Sequence, residues 1–184
     1  MRTGSLYDQL LEAAMTLATS RLSLSIPSLR SVARECGVTA SAVYRHFPSQ
    51  SSLNRAMVQS IDASFVAALT ATDDPARASV ERLRALAEAY LRWGLTNPGL
   101  YQLRFESADQ LGPDFVRTEA ADKLLAHIDD LLVSVHSGTK ATAEDLWVGL
   151  HGVVSMRIHK PDRQWNTDAA AQVDKLLDAW GLTA

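Results

Sequence analysis

The side chains best suited to recognise another molecule lie in one short stretch near the N-terminus. Tyr44 can present its hydroxyl to a phosphate, Arg45 can reach a phosphate or a guanine edge, and His46 can add a further phosphate contact. Ala40 and Ser41, just before them, are small enough to allow close approach to base edges. These residue types predict contact with duplex nucleic acid. A core position for Tyr44 is the alternative, since aromatic side chains also fill cores.

Two short helices separated by a turn would hold these side chains in place. Gly37 can adopt the left-handed conformation that ends the first helix, and Thr39 can cap the second. Val43 and Phe47 lie four residues apart, so both point inward, and Phe47 is expected in the core. Helix N-termini following Thr39 and Ser49 would add backbone donors for phosphate. The stretch therefore predicts a helix-turn-helix whose second helix fits a major groove.

Charge is distributed unevenly along the chain. The 184 residues carry a formal net charge of −3. Residues 1–60 hold six arginines against three acidic residues, a balance of +3, so the remainder carries −6. A positive N-terminal segment on an acidic body is drawn to phosphate in one orientation. Solvated surface charge gives a similar balance, so charge alone leaves the partner open.

Apolar residues recur with helical spacing from end to end, which predicts an all-α chain. All six prolines fall where helices should begin or end. The spacing predicts helices at about residues 5–20, 28–36 and 40–46, from Ser49 to about 72, across 80–91 and 100–105, from Pro113 to Val135, and across 146–158 and 173–180. The break at 72–75 is a candidate domain edge, although the helix before it can be shared.

Other classes of function have little support in the sequence. Cys36 is the only cysteine, which excludes an internal disulfide framework and suits a reducing cytoplasm. The five histidines include no His-Glu-x-x-His arrangement, so we expect no metal and no cofactor. There is no nucleophile elbow or glycine-rich phosphate loop, so we expect no enzyme. Asp8 and Glu12 interrupt the apolar N-terminal stretch, so we expect neither a signal peptide nor a membrane span.

A set of aromatic residues could line an apolar pocket between helices, although a plain core would show the same spacing. The set consists of Tyr90, Trp93, Tyr101, Phe105, Phe115 and Trp147. His151 follows Trp147 by four residues on the same helix face and is either a packing residue or a ligand contact.

The motifs resemble the TetR family of transcriptional regulators. An amphipathic first helix, a Val-Ala pair before the turn Cys-Gly-Val-Thr, the run Val-Tyr-Arg-His-Phe and the segment Pro-Ser-x-x-x-Leu are similar to that family's DNA-binding signature over about residues 5–55. Asn-Pro-Gly-Leu-Tyr at 97–101, with Trp147, His151 and Gly152, resembles a C-terminal subtype named after Trp, His and Gly.

The resemblance implies an N-terminal three-helix helix-turn-helix DNA-binding domain at residues 1–50 and a helical ligand-binding and dimerisation domain at 51–184. It implies a cytoplasmic repressor that binds a palindromic double-stranded operator as a homodimer and is released by a small apolar or amphipathic effector. The implied DNA contacts are Arg30, Thr39, Ala40, Ser41, Tyr44, Arg45, His46 and Gln50. The implied dimer interface, on the last two helices, consists of Trp147, Leu150, Val154, Val173, Leu176, Leu177 and Trp180.

One position departs from the family pattern. Gln50 stands where the family usually has a lysine, and Ser51 stands where an acidic residue is common. Gln50 can donate a hydrogen bond to phosphate but adds no charge, so we expect a weaker salt-dependent contribution to binding. A helical protein-interaction adaptor and a small helical-bundle enzyme are the alternative classes of function.

Overall fold

The computed structural model describes residues 4–19, 26–106, 118–135 and 139–182, and every structural statement below concerns those residues. Within them the chain forms nine α-helices and no strand, which confirms the all-α prediction. The helices are α1 (Leu6–Thr19), α2 (Leu29–Cys36), α3 (Ala40–Tyr44), α4 (Gln50–Thr70), α5 (Ser79–Thr96), α6 (Pro98–Phe105), α7 (Glu119–Ser134), α8 (Ala143–His159) and α9 (Ala169–Ala179). Phe115 and the predicted helix start at Pro113 lie outside the described residues.

The helix α3 is shorter than the predicted 40–46. It ends at Tyr44, and Arg45 is its C-terminal cap. The backbone N–H groups of His46 and Phe47 both donate to the carbonyl oxygen of Val43, at 2.9 and 2.8 Å. This tight last turn ends the helix and brings Phe47 under it.

The chain divides into two compact units. The N-terminal unit comprises Met1–Asp62 and Gly99–Arg117, and the C-terminal unit comprises Ala63–Pro98 and Thr118–Ala184. The helix α4 therefore contributes to both units, and α6 belongs to the N-terminal unit from Gly99 onward. These units are a division by packing, whereas the predicted boundary at residues 50 and 51 divides functions and stays a prediction.

The N-terminal unit is held together by α1 packing on α2, by α2 packing on α3, and by contacts of α6. A Cβ added to Gly99 would lie 2.7 Å from the Cβ of Thr19, so α6 approaches the end of α1 as closely as a glycine allows. The guanidinium of Arg104 on α6 forms a buried ion pair with Asp62 on α4. Tyr101 is fully buried.

In the C-terminal unit α5 packs against α7, α8 and α9. Arg84 on α5 pairs with Asp174 and Asp178 on α9 and donates to the carbonyl oxygen of Leu182 at 3.2 Å. These contacts fix the end of the chain's last helix against the centre of the unit.

A second ionic cluster joins the loop after α4 to α5 and α7. The Asp73 carboxylate accepts hydrogen bonds from Arg82 at 2.6 and 2.9 Å, and its Oδ2 lies 2.8 Å from Nε2 of His127. The Arg82 hydrogen bond lowers the pKa of Asp73 below its ordinary value of 3.8, against the opposing effect of partial burial, and His127 adds to the lowering. Across the ranges that the structure describes, no helix is both long and apolar enough to cross a membrane.

Candidate nucleic-acid interface

The turn between α2 and α3 is fixed by the two residues that the sequence indicated. Gly37 has φ 67° and ψ 29°, a left-handed conformation that glycine adopts without strain, and it ends α2. The N–H of Val38 donates to the carbonyl oxygen of Ala33 at 3.0 Å, which closes the turn. Thr39 then caps α3 by accepting a hydrogen bond from the N–H of Ala42 at 3.3 Å. Both predictions are confirmed.

The helix α3 buries one side and exposes the other. Val43 and Phe47 are almost completely buried, and the Phe47 ring lies 4.9 Å from that of Tyr7 on α1. Phe47 is thus a core residue, as predicted. Tyr44 is 48% exposed, and Arg45 is exposed beside it. The core alternative for Tyr44 is therefore wrong, because about half of its surface is exposed.

The remaining predicted DNA contacts, apart from Gln50, share this exposure. Arg30, Thr39, Ala40, Ser41 and His46 are all exposed. The His46 ring lies edge-on to the Tyr7 ring, with centroids 6.3 Å apart, which orients its imidazole.

Electrostatics at this face favour an anion. Among the described residues, neither Arg30 nor Arg45 forms an ion pair with an acidic side chain. The N–H groups in the first turns of α3 and α4 add partial positive charge at the N-terminus of each helix. The face can therefore donate hydrogen bonds to phosphates and to base edges.

Gln50 differs from the other predicted contacts because its side chain is used inside the protein. Its Nε2 donates to the carbonyl oxygen of Pro27 at 3.0 Å and to Oδ1 of Asn54 at 2.9 Å. A contact with phosphate would have to break one of these bonds. The spacing of Gln50 and Asn54, four residues apart on one helix, is a sequence signal from which the second bond could have been predicted.

The predicted ligand contacts are distributed over both units. In the C-terminal unit the rings of Tyr90 and Trp93 pack edge-on against Phe65, at 5.3 and 5.1 Å, and Nε1 of Trp93 donates to Ser64. This places both in a packed aromatic core. In the N-terminal unit the rings of Tyr101 and Phe105 lie 4.8 Å apart on α6. Trp147 is exposed and His151 is half-buried, both on α8, and Phe115 lies outside the described residues.

The predicted dimer residues divide into an inner and an outer group. Leu150, Val154, Val173 and Leu177 are buried inside the C-terminal unit, and Leu176 and Trp180 are half-buried. A Cβ added to Gly149 would meet the Trp180 ring at 2.7 Å, so Trp180 packs on α8 of its own chain. The four buried side chains are covered by their own chain, whereas Leu176 and Trp180 keep part of their surface exposed. Trp147 alone of the set is well exposed, at 42%.

Two exposed apolar residues on α8 were not among the predicted interface residues. Val148 is 69% exposed and Met156 is 46% exposed. Gly152 lies between them, and a Cβ added there would meet no atom within 4 Å. Val148, Gly152 and Met156 are spaced by four residues and so share one outer face of α8, whereas Trp147 lies about 100° around the helix from Val148. Apolar spacing did not show which face the neighbouring helices would cover.

A cleft of about 520 Å³ lies at the end of α9. It is lined by Thr139, Lys140, Ala141, Asp145, Ala179, Trp180 and Gly181. None of the predicted ligand contacts lines it. Within the described part of the chain, no group of three or more histidine, cysteine or acidic side chains is placed to hold a metal ion.

Two family models match the chain. Residues 27–57 match the model for bacterial regulatory proteins of the tetR family, and residues 83–180 match the model for a tetracyclin repressor-like C-terminal domain. The first match includes α2, α3 and the start of α4. The second extends from α5 to the end of α9.

Curated relatives and solved structures extend this similarity. The chain is 25% identical over 123 residues to the nucleoid occlusion factor SlmA of Vibrio cholerae serotype O1, and the match spans 62% of this chain and 63% of that protein. The fatty acid degradation regulator FadR from Bacillus halodurans covers 98% of this chain and 97% of its own, with a TM-score of 0.71 and 17% identity. A TetR-like transcriptional regulator from Rhodococcus sp. RHA1 covers 96% and 94%, with a TM-score of 0.65 and 20% identity. At these identities the structural similarity concerns the fold.

Proposed function

Because the chain belongs to the tetR family of bacterial regulatory proteins, we propose that it is a dimeric repressor whose α3 helices read a palindromic operator and which a small apolar or amphipathic compound releases. Family membership makes it a DNA-binding transcription regulator and not an enzyme. Repression, operator symmetry and the effector are the proposed part. A regulator of this kind acts in the cytoplasm, where the chromosome lies.

The outward face of α3 is the observation that carries the proposal. Val43 and Phe47 anchor the helix in the core, and Tyr44 and Arg45 remain exposed on the opposite side. A rigid short helix with polar side chains outward is the form that enters a major groove. We assign residues 1–50 as the DNA-binding domain on this basis.

The exposed residues of this domain fall into two groups of contacts. Thr39, Ala40 and Ser41 stand at the N-terminal end of α3, from which such helices contact base edges. Tyr44, Arg45, His46 and Arg30 supply hydrogen bonds to phosphates, and Arg45 can also reach a guanine edge.

Two copies of the chain are needed because one five-residue helix contacts too few base pairs for selectivity. We assign the contact between copies to the outer face of α8 that Val148, Gly152 and Met156 share, where Val148 and Met156 are exposed and Gly152 allows close approach. Trp147, the exposed neighbour of Val148, borders this face. Exposed apolar side chains on one helix face favour a protein interface. The Trp-His-Gly subtype stays part of this proposal, since Trp147, His151 and Gly152 all lie on α8.

The route from effector to DNA is proposed to pass along the chain from α5 to α6. Asn97 alone separates α5 from α6, and α6 is fixed to the N-terminal unit through Arg104 and Gly99. An effector bound in the ligand-binding domain, residues 51–184, would favour a state in which the two α3 helices no longer match successive grooves. It can shift that equilibrium only by its difference in affinity for the two states.

The test is a selection of bound duplexes from random genomic fragments at two salt concentrations. We expect a palindrome whose half-sites are about one helical turn apart and an affinity that falls steeply with salt. Sedimentation of the complex should give two chains per palindrome. Failure to enrich any palindrome would contradict the proposal and favour the adaptor alternative, which predicts no steep salt dependence on DNA.

A further inference from the structure

We propose that Gln50 is a positioning residue of the DNA-binding domain. Its side chain links the N-terminus of α4 to the segment just before the N-terminus of α2, and it does not itself bind phosphate. The inference rests on the proposed reading of an operator by α3. It assigns to Gln50 a role different from the phosphate contact that the sequence predicts.

The hydrogen bonds of Gln50 leave it no donor for DNA. A side-chain amide nitrogen carries two protons. Those of Gln50 point to the carbonyl oxygen of Pro27, at 3.0 Å, and to Oδ1 of Asn54, at 2.9 Å. The remaining Oε1 is an acceptor, and phosphate oxygens are acceptors too, so the two cannot bond directly.

The two acceptors are themselves fixed in the N-terminal unit. Asn54 is buried on α4, one turn after Gln50. Pro27 is buried and immediately precedes Ser28, whose Oγ accepts from the N–H of Ser31 and caps α2. The Gln50 amide therefore links the start of α4 to Pro27, which lies 23 residues earlier in the sequence.

This joint controls the orientation of the reading helix through α2. The helices α2 and α3 pack together, and the short turn at Gly37 and Thr39 connects them. A change in the orientation of α2 would therefore move α3 as well. Base-edge hydrogen bonds depend steeply on such geometry, whereas phosphate contacts add affinity uniformly across sequences. Loss of the joint should therefore reduce specific binding more than non-specific binding.

The test replaces Gln50 by methionine, which keeps the length of the side chain and removes both donors. Binding is measured to the palindromic duplex selected from genomic fragments and to poly(dI-dC). We expect Gln50→Met to weaken binding to the selected duplex about 5- to 10-fold, the usual effect of one lost hydrogen-bonded contact, and binding to poly(dI-dC) by less than about 2-fold. The control is Gln59→Met, the same change at an exposed position of α4, which should alter neither affinity. Equal weakening on both DNAs would indicate a phosphate contact and overturn the proposal, as would no change on either.

A second measurement needs no variant. The side-chain amide protons of Gln50 should exchange with deuterated water more slowly than those of exposed Gln59, both before and after DNA is added. Equal exchange rates would overturn the proposal. A wild-type protein with no preference for the selected duplex over poly(dI-dC) would instead count against the proposed function, so the two failures can be told apart.

Discussion

Arginines have different roles at the exposed face of α3, here called the reading face, and in the C-terminal unit. At the reading face Arg45 is exposed and, among the described residues, forms no ion pair. In the C-terminal unit Arg82 and Arg84 each hold carboxylates from other segments of the chain. The comparison shows that an arginine's role follows from its partners. Exposed unpaired guanidiniums are available to phosphate and should affect affinity, whereas paired ones join helices and should affect stability.

The largest effect is expected at the buried pair of Asp62 and Arg104. This pair shows that the N-terminal unit, too, contains an arginine that joins helices and should affect stability. Asp62→Ala leaves the Arg104 guanidinium buried without its carboxylate, so we expect the free energy of unfolding to fall by about 3–5 kcal/mol. Urea denaturation measures it. Asp130→Ala, at an exposed position of α7, is the control and should change stability by less than about 0.5 kcal/mol. A small loss of unfolding free energy for Asp62→Ala would contradict the distinction between arginines that stabilise the fold and arginines that bind DNA.

A smaller loss is expected at Asp73, where pH provides an independent check. Asp73→Asn should lower the free energy of unfolding at neutral pH by about 1.5–3 kcal/mol, because hydrogen bonds to a charged group are lost. Since the folded-state pKa of Asp73 is lowered, its contribution is fully present above the ordinary pKa of 3.8 and is lost as pH falls through the lowered value.

The difference in stability between wild type and Asp73→Asn should therefore shrink as the solution is acidified below the ordinary pKa of 3.8. Thermal unfolding over a pH series measures this. The matched control is Asp74→Asn in the exposed pair with Arg77, which should cost less than about 1 kcal/mol. A difference that does not change with pH would assign the effect of Asp73→Asn to packing.

At the reading face the expected change is in affinity. Arg45→Ala should weaken operator binding about 10-fold and reduce the slope of log affinity against log salt by about 0.9, since one phosphate charge is no longer neutralised. Fluorescence anisotropy at several salt concentrations measures both. Arg77→Ala, in an exposed pair of the C-terminal unit, should leave both values as they are. A loss of folding stability in Arg45→Ala would show that this arginine stabilises the fold, as the paired arginines do.

The smallest effect is expected from Tyr44→Phe, which removes only a hydroxyl. Operator affinity should fall about 3- to 10-fold if that hydroxyl donates to phosphate. The unfolding midpoint should not change, because Tyr44 is 48% exposed and its hydroxyl has water as an alternative partner. Unchanged affinity would remove Tyr44 from the contact surface.

Local signals made the helix-turn-helix predictable. Gly37 and Thr39 act on their own neighbours, through a left-handed conformation and a side-chain cap, so their effect can be read from adjacent residues. Val43 and Phe47 follow from helical spacing in the same way. The exposed side of α3 could therefore be predicted from the amino-acid sequence alone.

Contacts between distant residues could not be predicted in this way. Asp62 and Arg104 are 42 residues apart, and nothing near either residue indicates the other. Val154 and Trp147 are both apolar residues on α8, and only the packing of α5 and α9 decides that the first is buried and the second exposed. Spacing identifies apolar faces, but it does not identify what covers them.

The return of α6 to the N-terminal unit has a practical consequence for dissecting the protein. A fragment cut after Asp62 would cleave α4 in the middle and would omit Tyr101 and Arg104, which complete the interior of that half. Such a piece would expose an apolar surface and an orphaned carboxylate. To isolate the N-terminal unit therefore requires two non-contiguous stretches of polypeptide, joined by a new linker or expressed together.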